Sequence, residues 1–232
     1  MSIFVLHIDE RLIKTVMTKF SLIILFSVLW ITEYAQAQLV TDSSYADKKY
    51  YSLDEALKDP DNVFSLDLSN QQLELVDTIW ENFPNLRYLS LKNDHFQEIP
   101  VGIGNLTNLE ILDLSGNDFQ YLPSSFTKLN NLRELYLNDE KNFDLEKNIS
   151  LLSKLPQLKT LHIENDNLEN LPKEIAKLTH LESLYLNNNN FEEIPNELRE
   201  IETLRFVDFH NNRINIPSQE RENKAVGFKI RF

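Results

Sequence analysis

Residues 181–204 read LESLYLNNNNFEEIPNELREIETL. Leucines stand at Leu181, Leu184 and Leu186, followed by Asn189, Phe191, Ile194-Pro195, Leu198 and Ile201, and Leu204 begins the same pattern again. Stepping back along the chain reaches six earlier starts, at Leu181, Leu158, Leu132, Leu109, Leu86 and Val63. The spacing is 23 residues everywhere except between Leu132 and Leu158, where it is 26. Self-similarity at a fixed period of this size is the signature of a stacked repeat, and it outranks any reading of single segments.

The two halves of each unit have different periods. The first half alternates: Leu66 and Leu68, Leu89 and Leu91, Leu112 and Leu114, Leu135 and Leu137, Leu161 and Ile163, Leu184 and Leu186, Val207 and Phe209. Alternation predicts a strand with one buried face. In the second half the apolar residues lie three apart, as in Ile103 and Leu106, Phe126 and Leu129, Ile175 and Leu178, Leu198 and Ile201. That is the spacing of one or two helical turns, and Pro100, Pro123, Pro172 and Pro195 stand just ahead of them, where a missing N–H is tolerated. One strand and one turn cannot bury their own apolar edge, so the units must stack and share a core. The expected fold is α/β: a parallel sheet on the inner, concave face of a solenoid and short helices or turns on the convex face.

The pattern LxxLxLxxNxL, with second halves such as LPSSFTKLNNL and LPKEIAKLTHL, resembles that of leucine-rich repeat proteins, in the 23-residue subclass found in bacteria and in plant Ras-group-related repeat proteins. The resemblance covers residues 63–217 in seven in-phase copies. In that family the Asn side chain both donates to and accepts from backbone in the turn after the strand. Here Asn117, Asn189 and Asn212 keep it, while Gln71, Asp94, Glu140 and Asp166 replace it. A carboxylate accepts and does not donate, so the polar ladder is expected to be incomplete, mainly in its middle. The longer unit at Leu132 lacks Leu-Pro, and its stretch FDLEKNISLLSKL (143–155) fits a fuller convex helix; an extension of a surface loop is its plainer meaning.

Outward from the repeats lie the ends. A solenoid exposes core leucines unless its terminal units are covered. Ser52-Leu53-Asp54-Glu55 has capping-box spacing, with Leu53 and Leu57 on one face and Pro60 as a stop, so a short helix is expected as the N-terminal cap, preceded by a disordered arm; arm and cap together span 38–62. At the other end Val226, Phe228, Ile230 and Phe232 alternate, and residues 218–232 are expected to cover the last repeat. Residues 1–37 have Lys14 and Lys19, a ten-in-twelve apolar run FSLIILFSVLWI (20–31) and Ala35-Gln36-Ala37. Basic, apolar, then small-x-small describes a secretory signal peptide cut after Ala37, and the run is short for a membrane span. Met17 as the start would give the leader an ordinary length. The product is expected outside the cytoplasm, secreted, periplasmic or on the cell surface, with no membrane insertion after cleavage.

The net charge of −13, all of it beyond residue 37, and the absence of cysteine exclude disulfides, thiolate metal sites and thiol nucleophiles, and disfavour a nucleic-acid backbone as partner. Residues between the strand leucines line the sheet face. The central row runs Asp67, Ser90, Asp113, Tyr136, His162, Tyr185, Asp208; one flank carries Tyr88, Glu134 and Phe206, the other Glu164 and His210. Tyr136, His162 and Tyr185 fall on successive strands, and an exposed aromatic strip marks a contact site. The candidate ligand-binding residues are therefore Tyr136, His162, Tyr185, Phe206, His210, Tyr88, Asp113, Glu134, Glu164 and Asp208, with the carboxylates favouring a basic partner. No nucleophile elbow, phosphate loop or HExxH is present, so neither catalysis, metal nor cofactor is expected. The function expected is recognition of a protein, or secondarily a glycan; an adhesive or structural surface role is the runner-up and a hydrolase the third. Asn105-Leu-Thr107 and Asn148-Ile-Ser150 match glycosylation sequons.

Overall fold

Each alternating half forms a three-residue strand, because its central residue, a leucine or in the last unit Val207, must point into the stack while its neighbours lie on the other face. The computed structural model describes residues 48–73, 76–215 and 227–232. The expected leader, most of the arm before Lys49 and the polar stretch after Pro217 lie outside them. The repeat strands are β2 (Ser65–Asp67), β3 (Tyr88–Ser90), β4 (Ile111–Asp113), β5 (Glu134–Tyr136), β6 (Thr160–His162), β7 (Ser183–Tyr185) and β8 (Phe206–Asp208). They pair in chain order and in parallel, each residue opposite its counterpart one unit on, as in Ser90↔Asp113↔Tyr136↔His162↔Tyr185↔Asp208. The longer unit keeps this register: Leu135 still pairs with Leu161.

Two further strands flank the repeats. β1 (Lys49–Tyr50) pairs with Ser65 and Leu66, so the last residues of the segment expected to be a disordered arm are ordered edge strand. Tyr50 explains this, because its ring is buried against the first repeat. β9 (Lys229–Arg231) adds to β8, with Phe228, Ile230 and Phe232 packed against the core. Helix α1 (Leu53–Ala56) follows β1. Its Ser52 makes no side-chain cap bond, a departure from the capping-box expectation. The backbone closes the turn instead, Ala56 N–H donating to Ser52 O at 3.0 Å.

The convex halves are 3-10 turns rather than α-helices: Val101–Asn105, Ser124–Lys128, Lys173–Lys177 and Asn196–Glu200, each preceded by its proline. Apolar residues three apart eclipse in a 3-10 turn, and the proline carbonyl closes it, as where Phe126 N–H donates to Pro123 O at 3.0 Å. Adjacent turns touch closely. A Cβ on Gly102 would meet Asp77 O at 1.8 Å, so only glycine fits there. The long unit alone forms a true helix among the convex segments described, α2 (Leu145–Leu152), with Asp144 Oδ1 accepting from Lys147 N–H at 3.0 Å as its cap. Its buried face is Leu145, Asn148, Ile149 and Leu152. Asn148 spends its amide on Gln120 O and Asp144 O and accepts from Leu122 N–H, so this sequon sits inside the fold, while Asn105 is exposed.

One row escaped the sequence reading. The residue just before each ladder position has a positive φ: Asn70, Asn93, Gly116, Asp139, Asn165, Asn188 and Asn211. Asn, Asp and Gly tolerate the left-handed region best, and their recurrence at the repeat period was the available signal.

Candidate functional site

The parallel register carries the central row across the sheet, and the side chains then fold onto one another. Tyr136 and His162 stack with ring centroids 3.9 Å apart and planes 12° from parallel. His162 stacks on Tyr185 at 4.3 Å and 7°, and Tyr185 meets Phe206 tilted at 5.5 Å. Four strands, β5 to β8, thus contribute one continuous aromatic strip. The Tyr185–Phe206 pair has the spacing and tilt favoured by aromatic rings, and the two His162 contacts are closer and nearly parallel.

Both nitrogens of the central imidazole face carboxylates. His162 Nε2 lies 3.0 Å from Glu134 Oε1, and Nδ1 lies 3.2 Å from Glu164 Oε2. Glu134 Oε1 also accepts from the Tyr136 hydroxyl at 2.7 Å. Burial and then the neighbouring Glu134 push the Tyr136 phenol above its ordinary range, so its O–H remains a donor. Glu164 is held below the usual carboxylate range by its bond to His162, against the opposing effect of burial and with help from Asn187 and Asn138. Asn138 donates to Glu164 Oε2 at 3.0 Å and accepts from Glu164 N–H at 2.8 Å. A neutral imidazole has one N–H, so in that form the ring donates to one of the two carboxylates at a time.

The structure moves two of the candidate residues out of reach. His162 is only 7% exposed and Asp208 only 2%. They support the face from beneath rather than present themselves on it. His162 is covered by the two tyrosines between which it stacks. Asp208 is covered because Arg231 and His210 close over it: Oδ1 lies 2.7 Å from His210 Nδ1 and accepts from His210 N–H at 3.0 Å, and Oδ2 accepts from Arg231 at 3.3 Å. Tyr136, Tyr185, Phe206, Glu134, Glu164, Asp113 and His210 are half-buried, so the strip is less exposed than alternation alone implies.

Tyr88 stands apart from the strip, two strands before Glu134 in its own row. Lys49 lies 4.5 Å above its ring centroid and reaches its hydroxyl at 3.5 Å. The same ammonium pairs with Asp67 at 2.8 Å. Burial pushes the Asp67 carboxyl up, and the Lys49 and Ser69 bonds more than offset this, leaving it below its ordinary value. The Asp113 carboxylate accepts only from Ser115 N–H, at 2.9 Å, among the described residues. Sequence reasoning missed Lys49 and Arg231, because neither end strand was assigned a register from sequence.

One open hollow of about 430 Å³ lies away from this strip, among Glu169, Asn170, Asn190, Glu192 and Glu193, beside the turns. Among the described residues no group of three or more His, Asp or Glu is arranged to hold a metal ion. No described helix is long and apolar enough to cross a membrane.

Comparison with known proteins agrees with this geometry. A leucine-rich repeat region model matches residues 63–155, and a leucine rich repeat model matches 156–214. Curated proteins give no match. Among solved structures, internalin InlF from Listeria monocytogenes superposes with a TM-score of 0.54 at 19% identity, over 78% of this chain and 50% of that one. Internalin C2 from the same organism gives 0.53 at 22%, over 76% and 74%. TLR13, solved in complex with ssRNA13, gives 0.61 at 24%, over 80% of this chain and 27% of that one. The chain therefore spans half of InlF and about a quarter of TLR13, and likeness at these identities speaks to fold alone.

Proposed function

Because the chain belongs to the leucine-rich repeat family, we propose that it is a protein-binding module whose sheet face, from β4 to β8, docks a partner bearing basic side chains. The observation that carries the reading is the strip itself: Tyr136, Tyr185 and Phe206 are held in line by ring stacking, with Glu134, Glu164 and Asp113 beside them. Rigid aromatic residues give contact area at small entropic cost, and the carboxylates select by charge. The stacking also favours a protein over a glycan. Tyr136 and Tyr185 each turn a face to His162, so the strip offers mainly edges and hydroxyls, where a sugar ring needs an open aromatic face. A polyanion finds on this face carboxylates rather than a basic stripe.

Export through the leader at 1–37, with cleavage after Ala37, belongs to the same reading: basic residues, apolar run and small-x-small site support it. Intact mass of the exported protein is expected to begin at Gln38, and a mass retaining the apolar run overturns cleavage. Binding is tested with residues 38–232 as bait, compared with the double variant Tyr136→Ala, Tyr185→Ala. The variant is expected to keep its circular dichroism and lose at least about 2 kcal/mol of affinity, some thirtyfold. Affinity should also fall with added salt as the charges are screened. Undiminished binding by the folded variant would remove the strip from the interface.

A further inference from the structure

Three carboxyl groups, Asp94 and Glu140 buried and Asp166 half-buried, stand where the repeat calls for an amide. In the asparagine units the side chain works in both directions. Asn117 Oδ1 accepts from Asp94 N–H at 3.2 Å and Phe96 N–H at 3.1 Å, while its Nδ2 donates to Leu91 O at 2.9 Å and Leu114 O at 2.6 Å. Asn189 repeats this with Asp166 and Leu168 amides on one side and the Ile163 and Leu186 carbonyls on the other. Asp94, Glu140 and Asp166 reproduce only the accepting half. Asp94 Oδ1 takes Gln71 N–H at 2.6 Å and Gln72 N–H at 2.9 Å, Glu140 Oε1 takes Asn117 N–H at 3.0 Å, and Asp166 Oδ1 takes Glu140 N–H at 2.6 Å.

The second oxygen of each group, Asp94 Oδ2, Glu140 Oε2 and Asp166 Oδ2, is sealed from solvent and meets no donor. It is the counterpart of the amide nitrogen, which in the asparagine units addresses backbone carbonyls. An ionised carboxylate brings a lone charge to that place; a carboxylic acid brings an O–H. We propose that Asp94, Glu140 and Asp166 are carried as neutral acids in the folded stack, each O–H standing in for the missing amide N–H, and that their ionisation as pH rises loosens the middle of the repeat array.

The surroundings agree. Burial first, then the facing acids Asp166, Asp118 and Asp139, push Glu140 up to about 8, against the opposing bond from the Asn117 amide. Burial, then Asp139 and Glu164, push Asp166 up to about 8 against the Glu140 amide. Asp94 is raised by burial and Asp67, with the Gln72 and Gln71 amides and His95 working the other way. Folded pKa values above the unfolded ones mean that the folded chain holds protons the unfolded chain releases. This stability is fully present below the ordinary carboxylate range and is lost as pH rises through about 8. Glu140 and Asp166 stand in the turns that leave β5 and β6 and each braces the turn before its own, at Asn117 N–H and Glu140 N–H, so the loosening falls at the ends of β4 to β6, next to Tyr136 and His162.

The test is urea unfolding of the chain between about pH 6 and about pH 9, beside the variant Asp94→Asn, Glu140→Gln, Asp166→Asn. The unfolding constant of the native sequence should rise toward about tenfold per pH unit for each ionising carboxyl. The amide variant should show a flatter profile and be the more stable of the two at the alkaline end. A native profile without that loss, or a variant that tracks the native slope, overturns the proposal. Should the variant not fold, infrared difference spectra of the native chain across the same range decide: a protonated carboxyl band that vanishes at the alkaline end is expected, and its absence overturns the proposal equally.

Discussion

Near one end of the sheet Asp67 meets Lys49 of β1, and near the other Asp208 meets Arg231 of β9, whereas Asp113, Glu134 and Glu164 between them meet no lysine or arginine among the described residues. The two outermost strands thus do more than cover leucines. Each brings a basic residue that neutralises the carboxylate of the adjacent repeat, and the free negative charge is confined to the centre. There the described structure supplies one shared internal partner, His162, set between Glu134 and Glu164. The carboxylates at the two ends of the sheet are thus paired with basic side chains, and those of its middle are not.

The strongest way to break this contrast is to remove an end. Deleting residues 225–232 takes away β9 and with it Phe228, Ile230, Phe232 and the partner of Asp208. The loss is expected to be about 3 kcal/mol, from partial burial of three large side chains, seen as a melting temperature lower by roughly 6–12 °C, with aggregation through the exposed edge of β8. An unchanged, monomeric product would show that β9 is no cap. Next in size is Asn189→Asp, which converts an amide rung of the ladder into the type found in the middle. It should cost about 2 kcal/mol at alkaline pH, since two carbonyls lose their donor, and less in acid; denaturant curves at both pH values check it.

A smaller effect is expected from Glu164→Gln. The native carboxyl lies below its ordinary value, so its contribution is present above the unfolded pKa and is lost as pH falls through the lower folded value. The variant should flatten the acid limb of the stability profile by no more than about 1 kcal/mol, because the group is partly solvated. The smallest is Lys49→Ala, with about 0.5 kcal/mol or less for a partly exposed pair. Its value lies in binding: a basic ligand confined to the middle should then bind across the freed Asp67 and Tyr88 as well, with a steeper dependence on salt.

The register of the middle was legible in the sequence because the 23-residue period leaves it no freedom: Tyr136, His162 and Tyr185 had to fall on neighbouring strands. Burial was not legible. Whether a His between two tyrosines stands out or stacks depends on ring rotamers and on Glu134 and Glu164 lying on either side of it. The ends were read less well. Lys-Lys-Tyr-Tyr at 48–51 looks polar and aperiodic, and it becomes strand because the first repeat offers an edge and a place for Tyr50. The positions where a carboxyl replaces the ladder amide were legible, yet the left-handed row beside them went unseen, because its mixture of Asn, Asp and Gly hides a shared backbone requirement.

The three extra residues of the long unit leave Leu135 opposite Leu161 all the same, since α2 takes up the slack on the far side of the stack. Length is therefore absorbed on the convex rim and never reaches the sheet. A short tag or a fluorophore-bearing loop spliced at the exposed Lys141-Asn142 bend should ride outside the molecule and report on a docked partner without shifting a single ring of the strip.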